Sequence, residues 1–214
     1  MCGRYLIEID EKELREILST AEISADDRLD KLSFTFEGGE IFPSNTAPVI
    51  TAEGVRFMTW GFPSISESLN PHINARSETA STSKTFGEAF DARRCVVPAS
   101  AYFEWKQTGK KRKVKYEFTL PKRTPLYMAG IYTIDGQFAI LTRDAAPAIT
   151  EVHDRMPVIL PKSLIKVWLN DSPEVINQAL IDLQFAPVPT SDKNPRQLRL
   201  DFGEDKEKEA WLWR

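Results

Sequence analysis

The sequence predicts an α+β fold: a curved, largely antiparallel β-sheet with a barrel-like core and short flanking helices. Short β-rich runs fill the middle of the chain, whereas helical periodicity is confined to its ends. A chain of 214 residues that is 42% hydrophobic can bury one core. No repeat or linker divides it, so we expect a single domain over residues 1–202 and a charged tail over 203–214.

The first predicted element is a helix over residues 11–20. Asp10 and Glu13 form an acidic capping box, and apolar residues follow at helical spacing. Seven short runs rich in β-branched and aromatic residues then predict strands, at residues 47–51, 55–60, 94–97, 102–105, 115–120, 127–133 and 138–142.

Two further helices are predicted near the end, over residues 161–169 and 172–184. The second has Ser172 as N-cap and Pro173 at the first helical position. Its predicted buried face consists of Val175, Ile176, Ala179, Leu180 and Leu183.

The overall charge does not favour nucleic acid. The net charge is −3, whereas proteins held on DNA by counterion release usually carry a basic surplus. The 28 Lys and Arg side chains are still enough to line a local basic cleft.

The sequence also lacks the patterns of several other protein classes. No apolar run approaches a membrane span of about 20 residues, and the first residues do not resemble a signal peptide. We therefore expect a cytoplasmic protein, and we also expect it to be a monomer. No spacing of Cys and His suggests a metal, and no Gly-rich loop suggests a nucleotide cofactor.

The two cysteines have different expected roles. Cys95 lies in a strand-like run and is interpreted as a buried, inert thiol. Cys2 becomes a 1,2-aminothiol if Met1 is removed. Its amine, with a pKa of about 7.7–8.0, can attack an aldehyde, and its thiol can then close a five-membered thiazolidine. An N-terminal Cys is equally the nucleophile of some amide-cleaving enzymes.

Three further segments carry possible catalytic groups. Residues 71–79 contain Asn74, residues 102–106 place Glu104 between aromatic residues, and residues 152–157 contain His153. Burial among aromatic residues raises the pKa of a carboxyl, and His exchanges protons near neutral pH. Singly, the three segments also fit a turn, a strand edge and a charged loop.

Taken in order, these motifs resemble the SRAP family, named for SOS-response-associated peptidases, whose members shield abasic sites in DNA. The matching segments are MCGR at residues 1–4, INAR at 73–76 with Glu78 and Thr79, RC at 94–95, FEWK at 103–106 and HDRMP at 153–157. The resemblance spans most of the chain and implies the family's fold.

The resemblance also implies a set of roles. Cys2 would be the crosslinking nucleophile, Asn74 would orient the α-amine and the sugar, Glu104 would move protons, and His153 would help to open the sugar ring. It further implies autoproteolytic removal of Met1 and a DNA strand-cleaving lyase activity.

The implied partner is single-stranded DNA that contains abasic sites. Phosphate contacts are expected from Arg4, Arg76, Lys84 and Arg155, and the positions that match the border of the DNA cleft are Pro43, Ser44 and Thr142. The chain departs from the family at residues 63–69, where a pair of Trp that can wedge against bases is missing. Residues 39–42 also lack the family's Tyr-Asn pair.

Two other functions fit the same residues. One is an amide hydrolase or cysteine peptidase that uses Cys2 with His153 or Glu104, which would need a peptide groove and an oxyanion hole. The other is a non-enzymatic reader of modified bases or single strands, in which Cys2 only packs.

Overall fold

The computed structural model describes residues 2–8, 35–37, 39–64, 70–110, 112–189 and 199–201. The helix predicted at 11–20 and the tail predicted at 203–214 lie outside these residues.

Fourteen strands are found within the described ranges, numbered here along the chain. They are β1 (Arg4–Ile7), β2 (Thr35–Glu37), β3 (Gly39–Ile41), β4 (Thr46–Thr51), β5 (Gly54–Trp60), β6 (Asn74–Arg76), β7 (Arg94–Ala99), β8 (Ala101–Gln107), β9 (Lys113–Thr119), β10 (Leu126–Tyr132), β11 (Gln137–Asp144), β12 (Arg155–Pro157), β13 (Gln184–Pro187) and β14 (Arg199–Asp201).

The helices of the described ranges are short. They are α1 (Ser77–Ala80), α2 (Gly87–Ala92) and α3 (Ile165–Asn170), with 3-10 turns at Pro121–Arg123, Lys162–Leu164 and Pro173–Gln178.

The strands form two main sheets. One has five strands in the order β13-β9-β8-β1-β3, and the other runs β10-β7-β4-β5-β11-β12 with β6 added beside β11. Because β10 pairs with both β7 and β11, five strands of the second sheet form a closed circuit. Most pairs are antiparallel, and β11 pairs in parallel with β5 and β6. The α+β fold with curved antiparallel sheets is therefore confirmed.

The core lies inside the closed circuit and between the two sheets. All seven residues of β10 are buried, as expected for a strand covered on both faces. Tyr5 of β1 packs edge-on against Trp60 of β5, with ring centroids 5.0 Å apart. Trp60 in turn stacks at 6.4 Å on Phe138 of β11. These aromatic contacts join the sheet that carries β1 to the barrel-like circuit.

All seven predicted strands are confirmed, with ends that differ by at most two residues. The predicted helix at 161–169 is confirmed as a 3-10 turn followed by α3. Cys95 is buried in β7 as expected. Burial raises the pKa of its thiol well above the usual range.

The helix predicted at 172–184 is wrong beyond its first turns. The chain forms a 3-10 helix over Pro173–Gln178, and Ala179 is already extended, with ψ of 142°. The backbone N–H of Leu180 donates to the Ile159 carbonyl at 2.7 Å, which takes it out of any helix. Further along, Gln184–Pro187 pairs with β9 as β13. Three residues of the predicted face are buried nevertheless, namely Val175, Ala179 and Leu183. The apolar spacing therefore predicted burial correctly, although it did not indicate a helix.

Candidate active site

Cys2 lies just before β1, an interior strand held between β3 and β8. Arg4 of β1 is opposite Phe103 of β8, which brings the N-terminal residues to the strand that carries Glu104. Cys2 is fully buried, and its thiol donates to the Arg4 carbonyl at 3.4 Å. Burial, and then the nearby Glu104 carboxylate, raise the pKa of this thiol well above its usual range.

Asn74 fixes the backbone of Cys2 from the other sheet. It begins β6, which is aligned by parallel pairing with β11 at Ile140. Its side-chain Nδ2 donates to the Cys2 carbonyl at 2.8 Å. Its Oδ1 is buried and accepts no hydrogen bond from the described residues. Asn74 therefore offers an acceptor beside Cys2.

Glu104 is a buried acid in β8. Its side chain is 3% exposed. Burial raises the pKa of Glu104 from 4.5 to about 7, and the negative charge of Asp154 adds to the shift. A carboxyl with this pKa exchanges a proton readily at neutral pH, which suits general acid and base catalysis.

His153 completes the group from the turn that precedes β12. Its Nε2 lies 4.0 Å from Glu104 Oε2. Burial lowers the pKa of the imidazole, so the neutral ring is favoured. Its Nδ1 accepts the backbone N–H of Arg155 at 3.0 Å, which places the proton of a neutral ring on Nε2, toward Glu104. Asp154 Oδ1 lies 2.8 Å from the same Nδ1 and would stabilise the ring once it is protonated.

The four predicted catalytic residues therefore come together, from four strands or turns that are far apart in sequence. Six of the seven predicted DNA-binding residues fall into two groups. Pro43, Ser44, Arg76 and Lys84 are exposed. Ser44 also has a positive φ of 68° in the turn between β3 and β4.

Thr142 and Arg155 form the second group, and both are buried. The Thr142 hydroxyl donates to the Ala75 carbonyl at 3.4 Å. The Arg155 guanidinium donates to both carboxylate oxygens of Glu78, at 2.9 and 2.8 Å, and also to Asp144 and the Thr142 carbonyl. A direct DNA contact by these two residues stays a prediction. Their positions instead tie β12, and the turn with His153, to β11 and α1.

Arg4 is partly exposed and stacks between two aromatic rings. Its guanidinium carbon lies 4.2 Å from the Phe42 ring centroid and 5.3 Å from that of Trp105. Its Nη1 is 3.5 Å from Oε2 of Glu40, which also accepts a hydrogen bond from Lys115 through Oε1. Sequence reasoning missed Glu40 and Lys115, because they are about 75 residues apart and the pairing of β3, β1, β8 and β9 brings them together.

Within the described ranges, no group of three or more His, Cys, Asp or Glu side chains could hold a metal ion. None of the helices in these ranges is long and apolar enough to cross a membrane.

The chain is similar to a known protein family and to several curated proteins. The family model described as SOS response associated peptidase (SRAP) matches residues 1–195. The chain is 34% identical over 106 residues to the abasic site processing protein YobE of Bacillus subtilis, which covers 46% of this chain and 48% of YobE. It is 30% identical over 117 residues to the abasic site processing protein YedK of Escherichia coli, covering 51% and 52% of the two chains. The chain spans about half the length of these curated relatives.

Solved structures share the fold over most of the chain. A phage-related protein from Bordetella bronchiseptica superposes with a TM-score of 0.70 at 25% identity, covering 87% of this chain and 94% of that protein. A protein from Bacteroides thetaiotaomicron superposes with a TM-score of 0.68 at 22% identity, covering 89% and 93%, which supports the fold alone.

Proposed function

This chain belongs to the SOS response associated peptidase (SRAP) family, and from that membership and the site geometry we propose that it processes abasic sites in DNA. The observation that carries the proposal is the group of Cys2, Asn74, Glu104 and His153, in which Cys2 and Glu104 are buried. The curated relatives that the chain matches are named abasic site processing proteins. We propose single-stranded DNA with abasic sites as the substrate of a monomeric protein.

The first step of the proposed reaction is hydrolysis of the Met1–Cys2 peptide bond by the protein itself. It consumes one water, releases Met1 and leaves the nitrogen of Cys2 as an amine. This amine is created in the interior, beside Glu104. Asn74 holds the Cys2 carbonyl at 2.8 Å and so limits the directions in which the amine can point. The free Oδ1 of Asn74 can accept an N–H of the amine or a sugar hydroxyl.

The second step is formation of an imine. An abasic sugar must open its ring to expose the C1′ aldehyde, so its C1′ hydroxyl loses a proton and its ring oxygen gains one. The protonated form of His153, stabilised at Nδ1 by Asp154, can give the Nε2 proton to the ring oxygen, and the neutral ring can then take up the proton from the C1′ hydroxyl. The Cys2 amine then adds to C1′, and the resulting carbinolamine loses water. Glu104, with a pKa of about 7, can donate the proton that leaves with this water and accept one from the amine.

The third step closes the ring. The Cys2 sulfur adds to the imine carbon, and its proton passes to the nitrogen, which gives a thiazolidine. The high pKa of the buried thiol keeps the sulfur protonated until the imine has formed. Two bonds then hold the same sugar carbon. The same imine permits β-elimination of the 3′ phosphate, and this is the proposed lyase activity.

The cysteine-peptidase alternative requires a thiolate as the first nucleophile. Reactive cysteines of that kind have a lowered pKa in an electropositive setting. Burial and a nearby carboxylate act on Cys2 in the opposite direction. This favours a reaction that begins at the amine.

The test uses an oligonucleotide with one abasic site. The wild-type protein should give a denaturation-resistant shift on a gel, and mass spectrometry should find Met1 absent. Provided that Met1 is removed from it, which mass spectrometry checks, Cys2→Ala should give no stable shift but should form an adduct that borohydride traps, because the α-amine of the new N-terminus remains. Cys95→Ala, which removes the other buried thiol, should crosslink like wild type. A heat-stable crosslink from Cys2→Ala, or retained Met1 in crosslinking protein, would refute the mechanism.

A further inference from the structure

The hairpin of β8 and β9 is strongly basic. Six of the ten residues from 106 to 115 are Lys or Arg and none is acidic, although the chain as a whole has a net charge of −3. The backbone register of the hairpin runs unbroken from Glu104–Tyr116 to Gln107–Lys113. The Thr108 N–H donates to the Arg112 carbonyl at 3.0 Å and closes the turn.

The hairpin is anchored at its base and open at its tip. Lys106 pairs with Glu151 at 3.0 Å, and Lys115 pairs with the buried Glu40. Lys110, Arg112 and Lys113 are exposed, and none of them makes a salt bridge with another described residue. Three cations at the tip therefore remain accessible to an anionic partner.

The same strand links this tip to the candidate active site. Glu104 lies in β8, and Lys106, two residues further on, is on the same face of the strand. Glu151, the partner of Lys106, precedes His153 by two residues. From Glu104 to the tip at Gly109 the strand extends roughly 17 Å, at about 3.3 Å per residue. A phosphate backbone that leaves the site along this hairpin would pass several positive charges.

We propose that the tip of the β8–β9 hairpin is a second phosphate-binding surface, which holds the DNA strand beyond the abasic nucleotide. The inference rests on the proposed function for its choice of ligand. The ligand of the basic tip would be the sugar–phosphate backbone of single-stranded DNA, so binding at the tip would not depend on base sequence.

The test compares two variants that lose the same charge. The hairpin variant carries Lys110→Gln, Arg112→Gln and Lys113→Gln. The control carries Lys122→Gln, Lys162→Gln and Lys166→Gln, which lie outside the hairpin and the candidate site. The probe is an undamaged, fluorescently labelled single strand of about 20 nucleotides, longer than the roughly 4–16 nucleotides of typical single-strand sites. Affinity is measured by anisotropy at several salt concentrations.

The hairpin variant should bind this probe about tenfold more weakly than wild type, as expected for the loss of three exposed ionic contacts. The slope of log affinity against log salt should fall by about 2, since each single-strand phosphate contact contributes about 0.7. The control should bind nearly as wild type does. Equal affinity and slope for the hairpin variant and the control would overturn the proposal.

A second measurement separates this proposal from the proposed function. With saturating amounts of a short abasic oligonucleotide, the hairpin variant should crosslink at the wild-type rate, because the residues around Cys2 are unchanged. If the hairpin variant crosslinked more slowly under saturation, the tip would contribute to the reaction itself, and a role in binding alone would be refuted. If no variant crosslinks at all, the function assigned to Cys2 fails, whereas the anisotropy result with undamaged DNA still decides the role of the hairpin.

Discussion

Replacing Glu104 with Gln should stabilise the folded protein at alkaline pH while it slows the proposed reaction. Burial raises the pKa of Glu104 from 4.5 to about 7. The folded state therefore binds more protons than the unfolded state in this interval, so the free energy of unfolding falls as the pH rises from 4.5 to about 7. Across the difference between these two pKa values, the free energy of unfolding falls by roughly 3 kcal/mol, at about 1.4 kcal/mol per pH unit. A neutral isostere should recover most of this free energy above neutral pH.

Thermal unfolding of the wild type and Glu104→Gln measures the effect. Near pH 8 the variant should melt up to about 10 °C higher, because 1 kcal/mol shifts the midpoint by roughly 2–4 °C in a chain of this size. Near pH 5 most of the wild-type carboxyl is already protonated, so the two proteins should differ little. Crosslinking by the variant should be slower by about 10²–10⁴, the usual contribution of a general acid or base.

Glu78 provides a control, because its pKa is shifted in the opposite direction to that of Glu104. Its hydrogen bond with Arg155 lowers the pKa of this carboxyl. A lowered pKa contributes stability at neutral pH that is lost as the pH falls through the folded pKa. Glu78→Gln should therefore destabilise the protein near neutral pH, and the difference should shrink in acid. If Glu104→Gln also lowered the melting temperature near pH 8, the argument from burial would be wrong.

Three further substitutions test separate contacts. Asn74→Ala should slow crosslinking about tenfold, the equivalent of one hydrogen bond to the Cys2 carbonyl, in single-turnover gel assays. Arg155→Gln should lower the free energy of unfolding by about 1–3 kcal/mol in urea denaturation, since it breaks the bidentate pair that ties β12 to α1. Glu40→Gln should raise single-strand affinity at low salt, because it removes the carboxylate that competes with phosphate for Arg4, and unchanged binding in anisotropy titrations would contradict this role.

Local sequence pattern was sufficient for the central strands and insufficient near the end of the chain. Runs such as β10 and β11 are rich in apolar, β-branched and aromatic residues and end at turn residues, so their strands could be predicted. Ser172 and Pro173 are equally good helix starters, but the bond from Leu180 to Ile159 and the pairing of β13 with β9 compete with the helix. Tertiary contacts of this kind cannot be read from periodicity.

The sequence was sufficient to predict which residues form the candidate site, but it could not predict the contacts between them. Cys2, Asn74, Glu104 and His153 could be chosen from their chemistry and the family resemblance. That Asn74 binds the carbonyl of Cys2, or that Arg155 is enclosed by Glu78 and Asp144, depends on which strands become neighbours. The register of β11 determines this, since β6 and β12 pair with it.

The interior position of β1 has a consequence for the order in which the protein can become reactive. The ribosome makes the segment with Cys2 before its neighbour β8, which begins at Ala101, and the turn with His153 follows about 50 residues after that. Contacts between such distant segments form late, because long loops must close first. A partly synthesised chain would hold the cysteine without its acid, its imidazole or its amide anchor. If removal of Met1 needs these groups, as in the proposed reaction, the reactive amine would form only after the strands around Cys2 have assembled.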